Sequence, residues 1–241
     1  MKKTAIFVEG QTELIVVREY LLKWFNYENI EIECRTLFTD SKFHIAPYDF
    51  VTPTPQYHFQ IINVGNDNAV LSRILKREEF MWNAGYDKII GLRDMYSKAY
   101  REMSTIIDAD LNQEFINARI ETINEKAKQP TKILMCFAIM ETEAWFLGLS
   151  EIFELIDARL TNAFIQRETD KNLEVIDPEM AIFHPATLVN DIYNLVERHY
   201  RKHEGDIEAL VKLIERADFE SLLRRDKCNS FNVFHNAIHE D

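Results

Sequence analysis

Apolar positions along the chain change their period several times, and each change predicts a new element. Residues 4–9 (TAIFVE) crowd β-branched and aromatic side chains into a short run, the pattern of a buried strand. Gly10 allows a tight turn, and from Gln11 or Thr12 the positions Leu14, Val17, Leu21 and Leu22 predict a helix to about Asn26. IEIECRTLF alternates as a second strand with its core over 32–38. Between Thr39 and Gln56 lie Pro47, Pro53 and Pro55, which predict an insertion or an ordered loop. YHFQIINVG (57–65) is a third strand, followed by a helix that opens at Asn66 and Asp67 and is closed by Gly85. DKIIGLRDMY (87–96) is a fourth strand and reaches Asp94. A long helical region over 96–128 is stopped by Pro130, and TKILMCFAIM (131–140) is a fifth strand that runs into Glu141 and Glu143.

Strands alternating with helices imply an α/β fold with a mostly parallel sheet flanked by helices on both faces. From Ala144 onward the pattern is helical, with helices expected around 149–166, 185–203 and 206–224. The expected organisation is therefore an α/β domain over 1–148, carrying the insertion near 39–56, and a helical C-terminal layer or subdomain over 149–241. Internal repeats and low-complexity tracts are absent from the sequence.

Composition narrows the function classes. The formal net charge of −12 is the wrong sign for gripping nucleic acid by the general surface, so such binding calls for a local basic groove, metal ions or a partner. Apolar runs are too short to span a bilayer, and the run in MKKTAIFVEG meets Glu9 too soon for a signal peptide. Cys34, Cys136 and Cys228 have no paired spacing, which points to a reducing compartment, and a cytoplasmic protein is expected.

Three predicted strands deliver acids at their carboxyl ends, the edge where open α/β sheets gather functional groups: Glu9, Asp94, and Glu141 with Glu143. Glu13 follows Glu9 by four residues, which on a helix returns to the same face. Carboxylates brought together repel unless a cation lies among them, and hard ions such as Mg²⁺ or Mn²⁺ prefer oxygen ligands. Two such ions can clamp the attacking and leaving oxygens of a phosphodiester. A strand-terminal acid is also a common helix cap, so periodicity alone leaves a metal site and a set of caps equally open.

FVEGQTE (7–13) resembles the first motif of the Toprim fold. The chain is most similar to small Toprim proteins related to the overcoming-lysogenization-defect (OLD) nucleases of bacterial antiphage defence. The resemblance extends to METEAWFLG and to the tail segments HPATLVNDIYNLVERHYRKHEG and CNSFNVFHNAI. It implies a Toprim-like sheet and a nuclease dependent on Mg²⁺ or Mn²⁺, with Glu9, Glu13, Asp94, Glu141 and Glu143 as metal ligands. Glu9 would be the general acid/base or a direct ligand, and Asp94 the bridging ligand. It also implies a partner ATPase of the OLD/ABC type, since the chain has no G-x-x-x-x-G-K-[ST] of its own. The alternative is a weak or inactive Toprim subunit that docks such an ATPase; nucleotidyl transfer is a third possibility.

One departure stands out: where the family has Asp-x-Asp, this chain has Asp94-Met95-Tyr96. Asp108 and Asp110 have the spacing but follow a helical stretch, and are read as a helix cap and turn. His199 and His203 share a helix face on paper, but a third zinc ligand and the glutamate of His-Glu-x-x-His are missing, so an exposed helix is expected. Lys202 is read as solvated, although lysines in some related nucleases reach the scissile phosphate. Trp24, Trp82 and Trp145 are expected in the core.

Overall fold

The computed structural model describes residues 1–37, 42–65 and 69–240. The expected helix opening at Asn66 and Asp67, the start of the 39–56 segment, and Phe38 lie outside the described residues. The chain runs β1 (Lys2–Val8), α1 (Gln11–Trp24), β2 (Ile30–Leu37), β3 (Phe43–Ile45), β4 (Phe50–Val51), β5 (Tyr57–Asn63), α2 (Val70–Asn83) and β6 (Lys88–Asp94). It continues through α3 (Lys98–Met103), α4 (Ala109–Lys126), β7 (Ile133–Ala138), α5 (Glu143–Gly148), α6 (Ile152–Ile156), α7 (Asn162–Thr169) and α8 (Pro178–Ala181). The last helices are α9 (Pro185–Asn194), α10 (Glu204–Val211), α11 (Arg216–Arg224) and α12 (Asn229–His239). Among the described residues no helix is long and apolar enough to cross a membrane.

Two compact units emerge, and the chain passes between them more than once. The first comprises Met1–Arg93, Ala109–Phe137 and Val233–Asp241; the second comprises Asp94–Asp108 and Ala138–Asn232. Against the expected division at 148, placed where the strand signal ends, residues 94–108 and 138–148 fall in the second unit and the end of α12 in the first.

The first unit holds a seven-stranded, mostly parallel sheet in the order β3-β2-β5-β1-β6-β7, with β4 also pairing β2. β1 is central and parallel to both neighbours, with Val8 opposite Asn63 of β5 and Leu92 of β6. Ala5 and Phe7 pack into a core with Ile62, Ile74 and Met81 and with Ile123 of α4. Ile6 and Val8 point to the opposite face by the two-residue pleat, towards α1 and its buried Leu14, Val17 and Leu21. Helices therefore flank both faces, as the alternating pattern predicts.

Gly91 sits where β6 is tightest. A Cβ there would lie 2.9 Å from Ile74 Cδ1 and closer still to Met135 Sδ. Gly91→Val should accordingly destabilise the protein by about 1–3 kcal/mol through overpacking, read as a lower midpoint in urea at unchanged slope.

The segment expected to be an insertion or loop contains two short strands antiparallel to β2, with Leu37 opposite Phe43 and Ile32 opposite Phe50. Its prolines stand outside those strands, where their missing N–H costs no ladder bond. The helix expected over 96–128 is two helices. Ser104 is extended (φ −145°, ψ 146°) and its Oγ accepts the Ile106 N–H at 3.2 Å. The Tyr100 hydroxyl accepts the Asp108 N–H at 2.9 Å, so local side-chain bonds displace helical ones between α3 and α4. Asp108 directly precedes α4 and Asp110 lies in its first turn, as expected for a cap and turn.

The second unit corrects the helical tail. The region 149–166 is divided between α6 and α7, with Arg159 N–H and guanidinium folded onto Asp157 in the gap. The helix expected over 185–203 ends at Asn194, and Glu197 and Lys202 beyond it are left-handed (φ 61° and 56°). His199 and His203 therefore share no helix face: His199 Nδ1 meets Asn194 Oδ1 at 2.7 Å, and His203 sits at the N-cap of α10. The expected helix over 206–224 is α10 and α11, and Glu215 begins α11 with its N–H donating to Asp218 at 2.7 Å.

Glu179 is buried in this unit, and its carboxylate accepts from the Ser230 N–H at 3.0 Å, from the Ser230 hydroxyl, and from the Trp145 indole at 3.1 Å. Burial pushes its pKa up to about 7, against the pull of those donors. The folded state thus holds a proton between about pH 4.5 and 7 that the unfolded chain has lost, so this group's stabilisation falls as pH rises through that window. Wild-type Tm should drop from pH 5 to pH 8 by an amount reflecting about 3 kcal/mol, and Glu179→Gln should flatten that slope. Thermal melts across the range check it.

Candidate metal centre

Backbone pairing continues past the ends of β6 and β7. The Met95 N–H donates to Ala138 O at 2.9 Å, and the Tyr96 N–H to Met140 O at 2.8 Å. Met140 is left-handed (φ 62°), which turns the chain from extended backbone towards α5 and sets Thr142 against Asp94. Asp94 Oδ1 accepts the Thr142 N–H at 3.1 Å.

Glu141 and Glu143 are held from the other side. Glu141 Oε2 accepts the Ala186 N–H at 2.9 Å, taking one of the donors that the first turn of α9 leaves unpaired. Glu143 is fully buried and its Oε1 accepts the Tyr200 hydroxyl at 2.9 Å. Lys202 Nζ then lies 3.2 Å from Glu141 Oε1 and 3.1 Å from Glu143 Oε2. Burial works against the lysine's charge, but Glu143, Asp94 and Glu141 outweigh it and hold its pKa well above the ordinary value. Lys202 is thus an integral cation of the acidic group, a correction of the solvated role expected for it. The reason is the left-handed turn at Lys202 itself, which carries the side chain off any helical path.

The second unit therefore brings Asp94, Glu141 and Glu143 together through Thr142, Lys202, Tyr200 and Ala186. Three carboxylates against one ammonium leave the group formally negative. Every acidic donor is a hard carboxylate oxygen, and each carboxylate is oriented by a neutral donor of its own. That donor set fits Mg²⁺ or Mn²⁺. Tyr200 and the Ala186 N–H were missed by sequence reasoning. HPAT, a proline at the first turn of a helix, was a signal for α9 but not for what its N–H groups would hold.

Glu9 and Glu13 belong to the first unit. Glu9 directly follows β1 and is half-buried. Glu13 is buried, and its Oε2 accepts the Gly10 N–H at 2.9 Å, so the second acid of FVEGQTE also fastens the start of α1. Tyr96, in the place of a second aspartate, packs edge-on against Phe183 (5.6 Å) and His184 (5.2 Å), with Arg101 over its ring. Trp145 is buried, whereas Trp24 and Trp82 are half-buried. All three cysteines are free and buried, and burial pushes the Cys34 and Cys136 thiols up to about 12, which removes them as nucleophiles.

A scan against protein-family models found no match, and a search of curated proteins found none. Among solved structures, the C-terminal region of the Burkholderia pseudomallei OLD protein is similar at 15% identity, with 99% of each chain covered and a TM-score of 0.39. A score of that size carries no functional argument.

Proposed function

We propose that the chain is a divalent-metal-dependent nuclease that hydrolyses phosphodiester bonds in nucleic acid, acting in bacterial antiphage defence with a partner ATPase. The observation that carries the proposal is the oriented group of Asp94, Glu141 and Glu143 around Lys202. The resemblance of FVEGQTE to the first Toprim motif adds Glu9 and Glu13 to the proposed ligand set from the sequence alone. A bound Mg²⁺ or Mn²⁺ supplies neutralisation of phosphate charge and an activated water.

The chain's own residues do the rest. Thr142, Ala186 and Tyr200 fix the three carboxylates before any ligand arrives, so no reorganisation is needed during reaction. Lys202 brings a permanent positive charge for a non-bridging phosphate oxygen. An acidic chain without a P-loop has weak means of gripping a polyanion or sensing a nucleotide, and the proposed ATPase provides both.

One observation favours the second reading, a non-cleaving subunit that docks the ATPase: the Lys202 ammonium already stands between Glu141 and Glu143 where a metal would neutralise them. Purified protein should cleave DNA or RNA with Mn²⁺ or Mg²⁺ and lose the activity to a chelator, and Glu9→Gln should abolish it as well. Metal-independent cleavage, or cleavage unchanged in Glu9→Gln, overturns the nuclease proposal; binding to the ATPase without cleavage establishes the second reading.

A further inference from the structure

A separate set of ligating side chains lies on the sheet of the first unit, near the amino-terminal ends of its strands. Glu31 and Glu33 are two residues apart on β2 and so share a face. The parallel register with β5 sets His58 opposite Glu31 and Gln60 opposite Glu33. One donor atom from each of Glu31, Glu33 and His58 lies within 4.8 Å of the others.

The orientation of His58 is that of a metal ligand. It is buried, its Nε2 meets the Tyr86 hydroxyl at 3.1 Å, and its Nδ1 faces the acids, 3.0 Å from Glu31 Oε2. A ligating imidazole ordinarily has its second nitrogen fixed by such a neighbour. Ligand atoms about 2.0–2.1 Å from a tetrahedral ion stand about 3.3 Å apart, so this pair is already near the required spacing.

Gln60 supplies an independent indication. Its Nε2 donates to Glu33 Oε2 at 3.1 Å, but the Oε1 of the same amide is buried and has no hydrogen-bond partner. A buried amide oxygen ordinarily has a hydrogen-bond partner, and this acceptor is left unmet. Arg35 also reaches Glu33 Oε2, at 2.9 Å, and its other amino group binds Asp49, so Glu33 keeps Oε1 for a further ligand.

We propose that Glu31, Glu33, His58 and the Gln60 Oε1 bind one zinc ion, which ties β2 to β5. A mixed imidazole and carboxylate set selects Zn²⁺ over Mg²⁺, which takes oxygen ligands and keeps its waters. The site is distinct in donor type from the all-carboxylate group of the second unit.

The experiment uses the full chain freed of metal by chelation and dialysis. Calorimetric titration with Zn²⁺ should show one more equivalent bound by wild type than by His58→Gln or Glu31→Gln, with a Kd at or below about 1 µM. Asp94→Asn should retain that equivalent, which separates it from binding at the other acids. Zn²⁺ should raise the Tm of wild type by about 5 °C or more and leave His58→Gln unmoved. Co²⁺ added to wild type should give a visible tetrahedral absorption that ten-fold excess Mg²⁺ does not displace. Equal stoichiometry in wild type and both folded variants overturns the proposal. Absence of the Co²⁺ band in wild type overturns it without recourse to any variant.

Discussion

Asp94→Asn should leave the protein folded and cut metal-dependent cleavage by about 10³-fold. The asparagine keeps an Oδ1 that can accept the Thr142 N–H, so the turn between β7 and α5 keeps its anchor. What disappears is the charge, and with it the ligand at the centre of the proposed metal site. Neutralising one member of a like-charged group also relieves repulsion, so Tm should hold or rise. Single-turnover cleavage over a Mn²⁺ series, with circular dichroism on the same samples, checks both halves. Cleavage at the wild-type rate would place the chemistry elsewhere.

Lys202→Met should have the largest effect on stability. It retains the stem and removes the ammonium that faces Glu143, Glu141 and Asp94. Breaking such a pair takes the ammonium away from buried Glu143, at a cost of about 3 kcal/mol, the lower end of the range because the lysine head is about one-third exposed. For a chain of this length that corresponds to a Tm lower by about 6–12 °C. Mg²⁺ should recover much of the loss in the variant and raise wild-type Tm far less, because in the variant the ion takes over the charge that Lys202 supplies in the wild type. Equal Tm values with and without Mg²⁺ would show that the two cations do not share one place.

The sheet was legible because its strands are short apolar runs, and a run buried on both faces is visible without knowing its neighbours. TAIFV, YHFQIIN and KIIGLRD all lie in strands of the parallel sheet. Features that depend on one remote or local polar contact were not legible. The break before α4 depends on the Tyr100 hydroxyl taking a backbone N–H eight residues away, which no hydrophobic period records. Beyond the end of α9 the chain is left-handed at Glu197 and again at Lys202, neither of them glycine. Because 195–203 was read as helix, Lys202 and His199 were assigned to an exposed face. At the candidate centre, Asp94, Glu141 and Glu143 stood out at strand ends, while Tyr200 and the Ala186 N–H did not. Their roles arise from contacts 57 and 45 residues away along the chain, to Glu143 and Glu141 respectively.

The buried thiols give the protein its own timers of local opening. Cys34 and Cys136 belong to β2 and β7 of the first unit, and Cys228 to the second, each shielded in the native state. A thiol-specific alkylating reagent reaches each only when its surroundings open, so the three modification rates rank the opening of sheet and tail without any introduced label. Mass spectrometry of the resulting peptides would separate a sheet that breathes from a helical tail that does, and would show which of the two a bound metal quiets.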